Sequence, residues 1–372
     1  MTPASHVQAH PSQCRRHDAP LLEEFIIGRC YNGHLGDTLC LSPVPRLLTL
    51  AYGTRVYVSD LPSHRGVFAS NPYVAGFRQS KGVRLETRIR GHGHLIHRIQ
   101  RRFGAVLEGD VRPEIYLSEE ERLWALEQRR HWPVEKPVCI LATRAIAEAK
   151  WYGDVDWPAV ANTLMGSCTL VQPILTRPDV YRSQIARTPK ARPSTWQEET
   201  PIPGAVVYRD LPLRKYLSLF SVADCFCGPA SGGAHAAAAF DVPSLLVVWR
   251  GLLESLRFPA SSQGFATEAF LYPQHDYIAS EDLDRGSISW HVLRRKIEDM
   301  SRRARDRRRA GADRGPAGVR FLTTPPRQRA YTTAGRVLGP SYSGPGLYGA
   351  GAARYPASCG ATVLATSRAS DE

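Results

Sequence analysis

The 372-residue sequence predicts an α/β fold of two doubly wound domains facing a cleft, with a disordered basic tail behind them. Three observations predict it. Short apolar runs alternate with segments of helical spacing, the pattern of β-α-β units in a parallel sheet. The series breaks near Trp132-Pro133 and then restarts. Past residue 310 the composition turns to Gly, Ala, Pro, Ser and Arg without periodicity.

Residues 1–20 are polar and aperiodic and are expected to be disordered. The first domain, 21–130, opens on Phe25-Ile26-Ile27, a short strand ending at Gly28. The loop from Tyr31 to Gly36 follows. Asp37 stands at a helix start ahead of Leu39, Leu41, Leu47 and Leu48, with Pro43 and Pro45 interrupting a regular helix. Arg55 to Val58 is the next strand. The second domain, 131–309, reads as strand Val138 to Leu141, helix Trp157 to Met165, and strand Thr169 to Val171. Strand Ala205 to Tyr208, helix Leu213 to Val222 and strand Cys225 to Cys227 come next. A Gly-rich turn leads into the small-residue run Ala234 to Ala239, Ser244 to Trp249 is a fully buried strand, and His291 to Arg309 is a terminal helix. Residues 310–372 form the low-complexity tail.

Composition excludes several classes. No run approaches the roughly 20 apolar residues that span a bilayer, and no apolar segment follows the basic residues near the N-terminus, so a cytoplasmic location is expected. The eight cysteines lack C-x-x-C spacing, which favours free thiols over a disulfide framework. The net charge of +13 is concentrated past Met300, where 13 arginines face 4 acidic residues. Six arginines lie between Ser301 and Arg309. Such a run suits a solvated helix end or a peripheral contact at the inner face of the cytoplasmic membrane, and no nucleic-acid partner is expected.

Four clusters carry chemistry. In Cys227-Gly228-Pro229-Ala230-Ser231-Gly232-Gly233-Ala234-His235, a buried strand runs through glycines into a helix. A helix start leaves N–H groups unpaired and carries partial positive charge. Gly232 and Gly233 would let a phosphate approach those groups, Ser231 adds a hydroxyl, and His235 falls in the first turn. Asp37, with His34 and Gly36 before it, follows the first strand, where open sheets place ligands. It is a candidate general base, or an ordinary helix cap. Lys150, in the loop after the strand at Val138, could neutralise a diphosphate leaving group or lie on the surface. His92, His94 and His97 share one glycine-rich loop. They lack a nearby Asp, Glu or Cys, so acceptor contact through His94 is expected and no metal is.

Together these residues resemble glycosyltransferase family 9, the ADP-heptose:lipopolysaccharide heptosyltransferases. The resemblance is carried by Gly36-Asp37-Thr38-Leu39-Cys40-Leu41-Ser42-Pro43, Asn71-Pro72-Tyr73-Val74, Lys150-Trp151 with Trp157, Asp210 through Asp224, Ser231-Gly232-Gly233-Ala234-His235-Ala236-Ala237-Ala238, and Phe240-Asp241-Val242-Pro243. It covers residues 25 to 260. It implies a GT-B fold of two Rossmann-like domains, the acceptor on the first and the nucleotide sugar on the second. Asp37 would be the base. Lys150 would bind phosphate, and Ser231, Gly232, Gly233 and His235 would hold the diphosphate and sugar. The implied reaction is inverting and metal-independent, with no cofactor. The acceptor would be a glycan, a lipid-linked sugar such as lipopolysaccharide, or a protein. Ala230 stands where the family usually carries Asp, so the sugar, heptose or another, stays open.

Two other readings remain. A serine hydrolase would use Ser231 at a strand–turn–helix elbow, with Asp276 and His291 as the later acid and base, although Pro229 takes the place of the first elbow glycine. A non-catalytic nucleotide-sugar-binding protein would share the fold without turnover.

Overall fold

The computed structural model describes residues 23–30, 35–79, 83–85, 94–103, 105–107, 111–133, 135–144, 155–176, 199–248, 250, 272, 274–312, 330–332 and 337–338. The N-terminal lobe holds strands β1 (Glu24–Cys30), β2 (Arg55–Ser59), β3 (Val74–Arg78) and β4 (Val83–Leu85). It also holds helices α1 (Leu35–Leu41), α2 (Val44–Tyr52), α3 (Pro62–Phe68) and α4 (Leu95–Arg102). The strands form one parallel sheet in the order β3-β2-β1-β4. Phe25 and Ile27 alternate inward along β1, as a half-buried strand requires. The two prolines divide the following helical run. Ser42 ends α1 by donating to Leu39 O at 2.7 Å, and Pro45 sits in the first turn of α2, where its missing N–H costs nothing. Gly53, at φ 67, ends α2 in the left-handed conformation. Asn71 opens the turn into β3, its side-chain oxygen accepting from Tyr73 N at 2.9 Å.

Short β5 (Ala105–Leu107) leads toward a buried crossing segment and α5 (Glu119–Arg130). Ser118 and Glu121 close a reciprocal capping box at the start of α5. In the crossing segment Glu114 is buried and accepts from Arg46 Nε at 2.7 Å and from Tyr116 Oη at 2.9 Å. Its N–H donates to Ser42 Oγ at 2.7 Å, so the end of α1 and the crossing are tied together.

The C-terminal lobe comprises β6 (Val138–Leu141), α6 (Trp157–Met165), β7 (Thr169–Ile174), β8 (Val206–Arg209), α7 (Leu213–Leu219) and β9 (Cys225–Pro229). It continues with α8 (Gly232–Ala239), β10 (Ser244–Val248), β11 (His275–Ala279) and α9 (Trp290–Ala312). Its six strands are parallel in the order β11-β10-β9-β6-β7-β8. Counted within the lobe that is 6-5-4-1-2-3, the doubly wound Rossmann order, and the order reverses between β6 and β9. Successive residues of the central strands enter different cores. Val138, Ile140, Phe226, Leu246 and Val248 face a core shared with the N-terminal lobe. Cys139, Leu141, Cys225, Cys227, Leu245 and Val247 face a second core under α6 and α9. Two α/β lobes thus face each other as in a GT-B fold.

Several sequence features serve the frame. Asp224 accepts from Val138 N at 2.8 Å and pairs with Arg129 at 3.0 Å, anchoring β6 to α5. Asp210 holds Thr176 at the end of β7. Asp241, at φ 58, ends α8: its N–H reaches Ala238 O and Val242 N reaches Ala237 O, the two bonds of a Schellman motif. In the basic run of α9, Arg303 donates to Gln274 O, Arg307 to Ala223 O and Phe240 O, and Arg308 to Lys136 O. These arginines close carbonyl ends of the lobe itself. Cys40, Cys139, Cys168, Cys225 and Cys227 are free and buried. The tail, expected to lack regular structure, contributes β12 (Ala330–Thr332) and β13 (Val337–Leu338). β12 pairs antiparallel with β5 in the N-terminal lobe. Backbone pairing supplies this order without any side-chain pattern for a sequence reading to find.

Removing one member of a buried ion pair strands the other in a dry environment. Glu114→Ala is expected to lower stability by about 3–5 kcal/mol, and the paired change Arg46→Met with Glu114→Leu to recover most of that. Thermal melting of the two variants beside the parent checks it.

Candidate functional site

Each sheet places one loop-to-helix turn at its switch point, and the two turns meet. In the N-terminal lobe α1 starts after β1, beside the reversal between β1 and β4; in the C-terminal lobe α8 starts after β9, beside the reversal between β9 and β6. The contact needs glycine on both sides. A Cβ on Gly36 would lie 2.8 Å from His235 Cδ2 and 3.0 Å from His235 Nε2, and one on Gly232 would lie 2.8 Å from Leu35 Cδ2. A Cβ on Gly233 would come within 2.9 Å of Phe226 Cζ and Tyr216 Oη. None of the three has a positive φ. They are therefore glycines because neighbouring protein occupies the side-chain direction, a packing reason beside the phosphate approach that the sequence suggested.

Gly36, Asp37, Ala230, Ser231 and Gly232 are half-buried and form the accessible rim of this contact. Ser231 is the extended N-cap of α8, and its hydroxyl makes no capping bond. The first N–H groups of a helix have no partner within it, so α8 presents donors and partial positive charge at the rim.

Behind the rim lies a buried ring cluster. His235 is 7% exposed and Tyr272 2%. His235 Nδ1 and Tyr272 Oη are 2.6 Å apart, and Cys40 Sγ of α1 is 3.7 Å from the same nitrogen. The His94 and His275 rings pack on Tyr272 with centroids at 4.5 and 5.1 Å. Burial pushes His235 down to about 4, and burial with neighbouring histidines pushes His94 and His275 down to about 3. All three are therefore neutral imidazoles at pH 7. His94 does not project from a loop: it is the N-cap of α4, Nδ1 accepting from Ile96 N at 3.1 Å. His34 and Lys150 lie outside the described residues.

Glu199 accepts from Thr143 Oγ1 and from Leu175 N, each at 3.0 Å, after the ends of β6 and β7. Burial raises its carboxyl, while those two bonds and Arg144 pull it the other way. Sequence reasoning found neither Glu199 nor Tyr272. Both sit outside any periodic run, and only the fold carries them to the site. The residues proposed for a hydrolase do not assemble. Asp276 is paired with Lys296 at 2.7 Å, His291 is exposed on α9, and no described hydrogen bond joins either to Ser231.

No family model matches the chain, and no curated protein matches it. Solved structures do. A glycosyl transferase family 9 structure from Veillonella parvula superimposes with a TM-score of 0.52 at 13% identity, over 76% of this chain and 99% of that one. Escherichia coli ADP-heptose lipopolysaccharide heptosyltransferase II matches with a TM-score of 0.46 at 14% identity, over 76% and 99%. The dodecameric glycosyltransferase TibC of enterotoxigenic E. coli matches at 0.46 and 14%, over 77% of each chain. At these identities the likeness is one of fold. It also corrects one expectation. No cofactor was expected from the sequence, whereas TibC is an iron-containing glycosyltransferase. Among the described residues no three His, Cys, Asp or Glu side chains are grouped to hold a metal ion.

Unfolding would return each of the three histidines to about 6.5. The stability gained by keeping them neutral is complete above pH 6.5 and is lost as pH falls through about 4 for His235 and about 3 for His94 and His275. The melting temperature is expected to drop over that window, and less steeply in His275→Phe, as measured by calorimetry at stepped pH. Gly36→Ala should cost about 1–3 kcal/mol through overpacking against His235, read as a lowered melting temperature.

Proposed function

We propose that the chain transfers a sugar from a nucleotide-diphosphate donor to a hydroxyl acceptor, with inversion at the sugar carbon. The observation that carries this reading is the convergence of the two helix starts: Asp37 at one, Ser231, Gly232, Gly233 and His235 at the other. Direct displacement needs a base on one side of the electrophile and charge stabilisation on the other. Asp37, half-buried on the N-terminal side, takes the acceptor proton. The start of α8 receives the departing diphosphate, its N–H groups and dipole matched to an anion. His235, neutral and buried, adds a hydrogen bond without adding charge. Lys150 joins this group on the sequence motif alone. The fold likeness supports a nucleotide-sugar donor and makes heptose one candidate sugar. A glycan, a lipid-linked sugar or a protein is the acceptor class.

The test is thermal-shift binding of sugar nucleotides and free nucleoside diphosphates to the parent, Ser231→Ala and His235→Ala. A ligand bound only to the folded state raises its melting point. The parent is expected to shift with one nucleotide class and both variants to lose most of the shift; no shift with any of them would sink the reading. Asp37→Asn is expected to keep the shift and lose about 10²–10⁴-fold in transfer rate. A non-catalytic binder would show the shift and no transfer in any form.

A further inference from the structure

Tyr272 is the hub of the buried cluster behind the site. Its ring is contacted by His94, His235 and His275, and its hydroxyl lies 2.6 Å from His235 Nδ1 and 4.0 Å from Cys40 Sγ. Two proton arrangements fit the short contact. In one, His235 Nδ1–H donates to the phenol, whose own proton must then find a thiol sulfur at 4.0 Å. Sulfur is a weak acceptor, and a buried hydroxyl without a good acceptor costs about 1–3 kcal/mol. In the other, the phenol donates to Nδ1, and its proton has a nitrogen acceptor at 2.6 Å. Burial also holds the phenol well above its ordinary range, so it keeps the proton it donates.

We infer that Tyr272 is a positioning residue that fixes His235 as the tautomer protonated at Nε2. The edge of the ring that carries Nε2 is the one lying against Gly36, one residue before Asp37. His235 thereby presents a neutral N–H donor toward the place where the two helix starts meet, suited to an acceptor oxygen of a phosphate or a sugar hydroxyl. This last step rests on the nucleotide-sugar reading; the tautomer does not.

The experiment is a long-range proton–nitrogen spectrum of the full chain with nitrogen-labelled histidine at pH 7, the His235 signals being assigned with His235→Gln. The expected result is an unprotonated Nδ1 and a protonated Nε2, a pattern that Tyr272→Phe abolishes. Site-specific 3-fluorotyrosine at position 272 preserves the packing and makes the phenol more acidic, so it must move the Nδ1 resonance even if the phenylalanine variant does not fold. A protonated Nδ1 in the parent, or a Nδ1 signal indifferent to the fluorine, overturns the inference. ADP is the binding probe for a double-mutant cycle. Tyr272→Phe and His235→Gln are each expected to weaken it about tenfold, and together no more than either alone. Additive losses would make Tyr272 a packing residue and overturn the positioning role. If ADP does not bind the parent, the nucleotide-sugar reading falls, while the spectrum still decides the tautomer.

Discussion

The contact between the starts of α1 and α8 is the constraint on which the rest depends. Gly36 lies so close to the His235 ring, and Gly232 to the Leu35 side chain, that neither position has room for a methyl group. The shared core reinforces the approach, since Leu35, Leu39 and Cys40 belong to the same apolar cluster as Ala234 and Ala236 to Ala239. Arg214 on α7 secures it from the side, donating to Glu121 Oε1, Gly66 O and Tyr116 O at 2.7, 3.1 and 2.6 Å. One cation thereby joins the C-terminal lobe to α3, the crossing segment and α5. The lobes meet through a packed interface with a rim of five half-buried residues at its edge.

That packing sets the electrostatics of the site. A histidine in the first turn of a helix would ordinarily meet the positive end of the dipole at a cost if charged. Here burial keeps His235 neutral, and the phenol of Tyr272 supplies its partner. The acidic side is different: Asp37 remains half-exposed on α1. Under the proposed transfer, a half-exposed carboxylate at one helix start and a neutral imidazole at the other would form an asymmetry suited to moving negative charge from one side of a substrate to the other.

Much of this was legible in the sequence. Val138 to Leu141 and Trp157 to Met165 read correctly because a continuous apolar run and a capped, Pro-initiated helix are local signals. The strand into Ser231 and the alanine helix were visible for the same reason. The role of the glycines was only half legible, since a sequence shows that a side chain is absent but not which neighbour fills its place. β4 and β11 escaped because strands at sheet edges need no strong alternation, and β12 because only three residues of it pair. Tyr272 and Glu199 escaped because their neighbours lie far off in the chain: Cys40 is 232 residues from Tyr272, and Thr143 is 56 from Glu199. The arginine run near the C-terminus read as a charged surface, yet three of its members bond carbonyls of the lobe.

The central claim is that a nucleotide-sugar ligand binds where the two helix starts meet. Amide hydrogen exchange of the full chain, with and without the sugar nucleotide that raises its melting point, tests this most directly. The account predicts added protection in the peptides that span Gly36 to Leu41 and Ala230 to Ala239, both together. Protection confined to other segments, with these two unchanged, would contradict it.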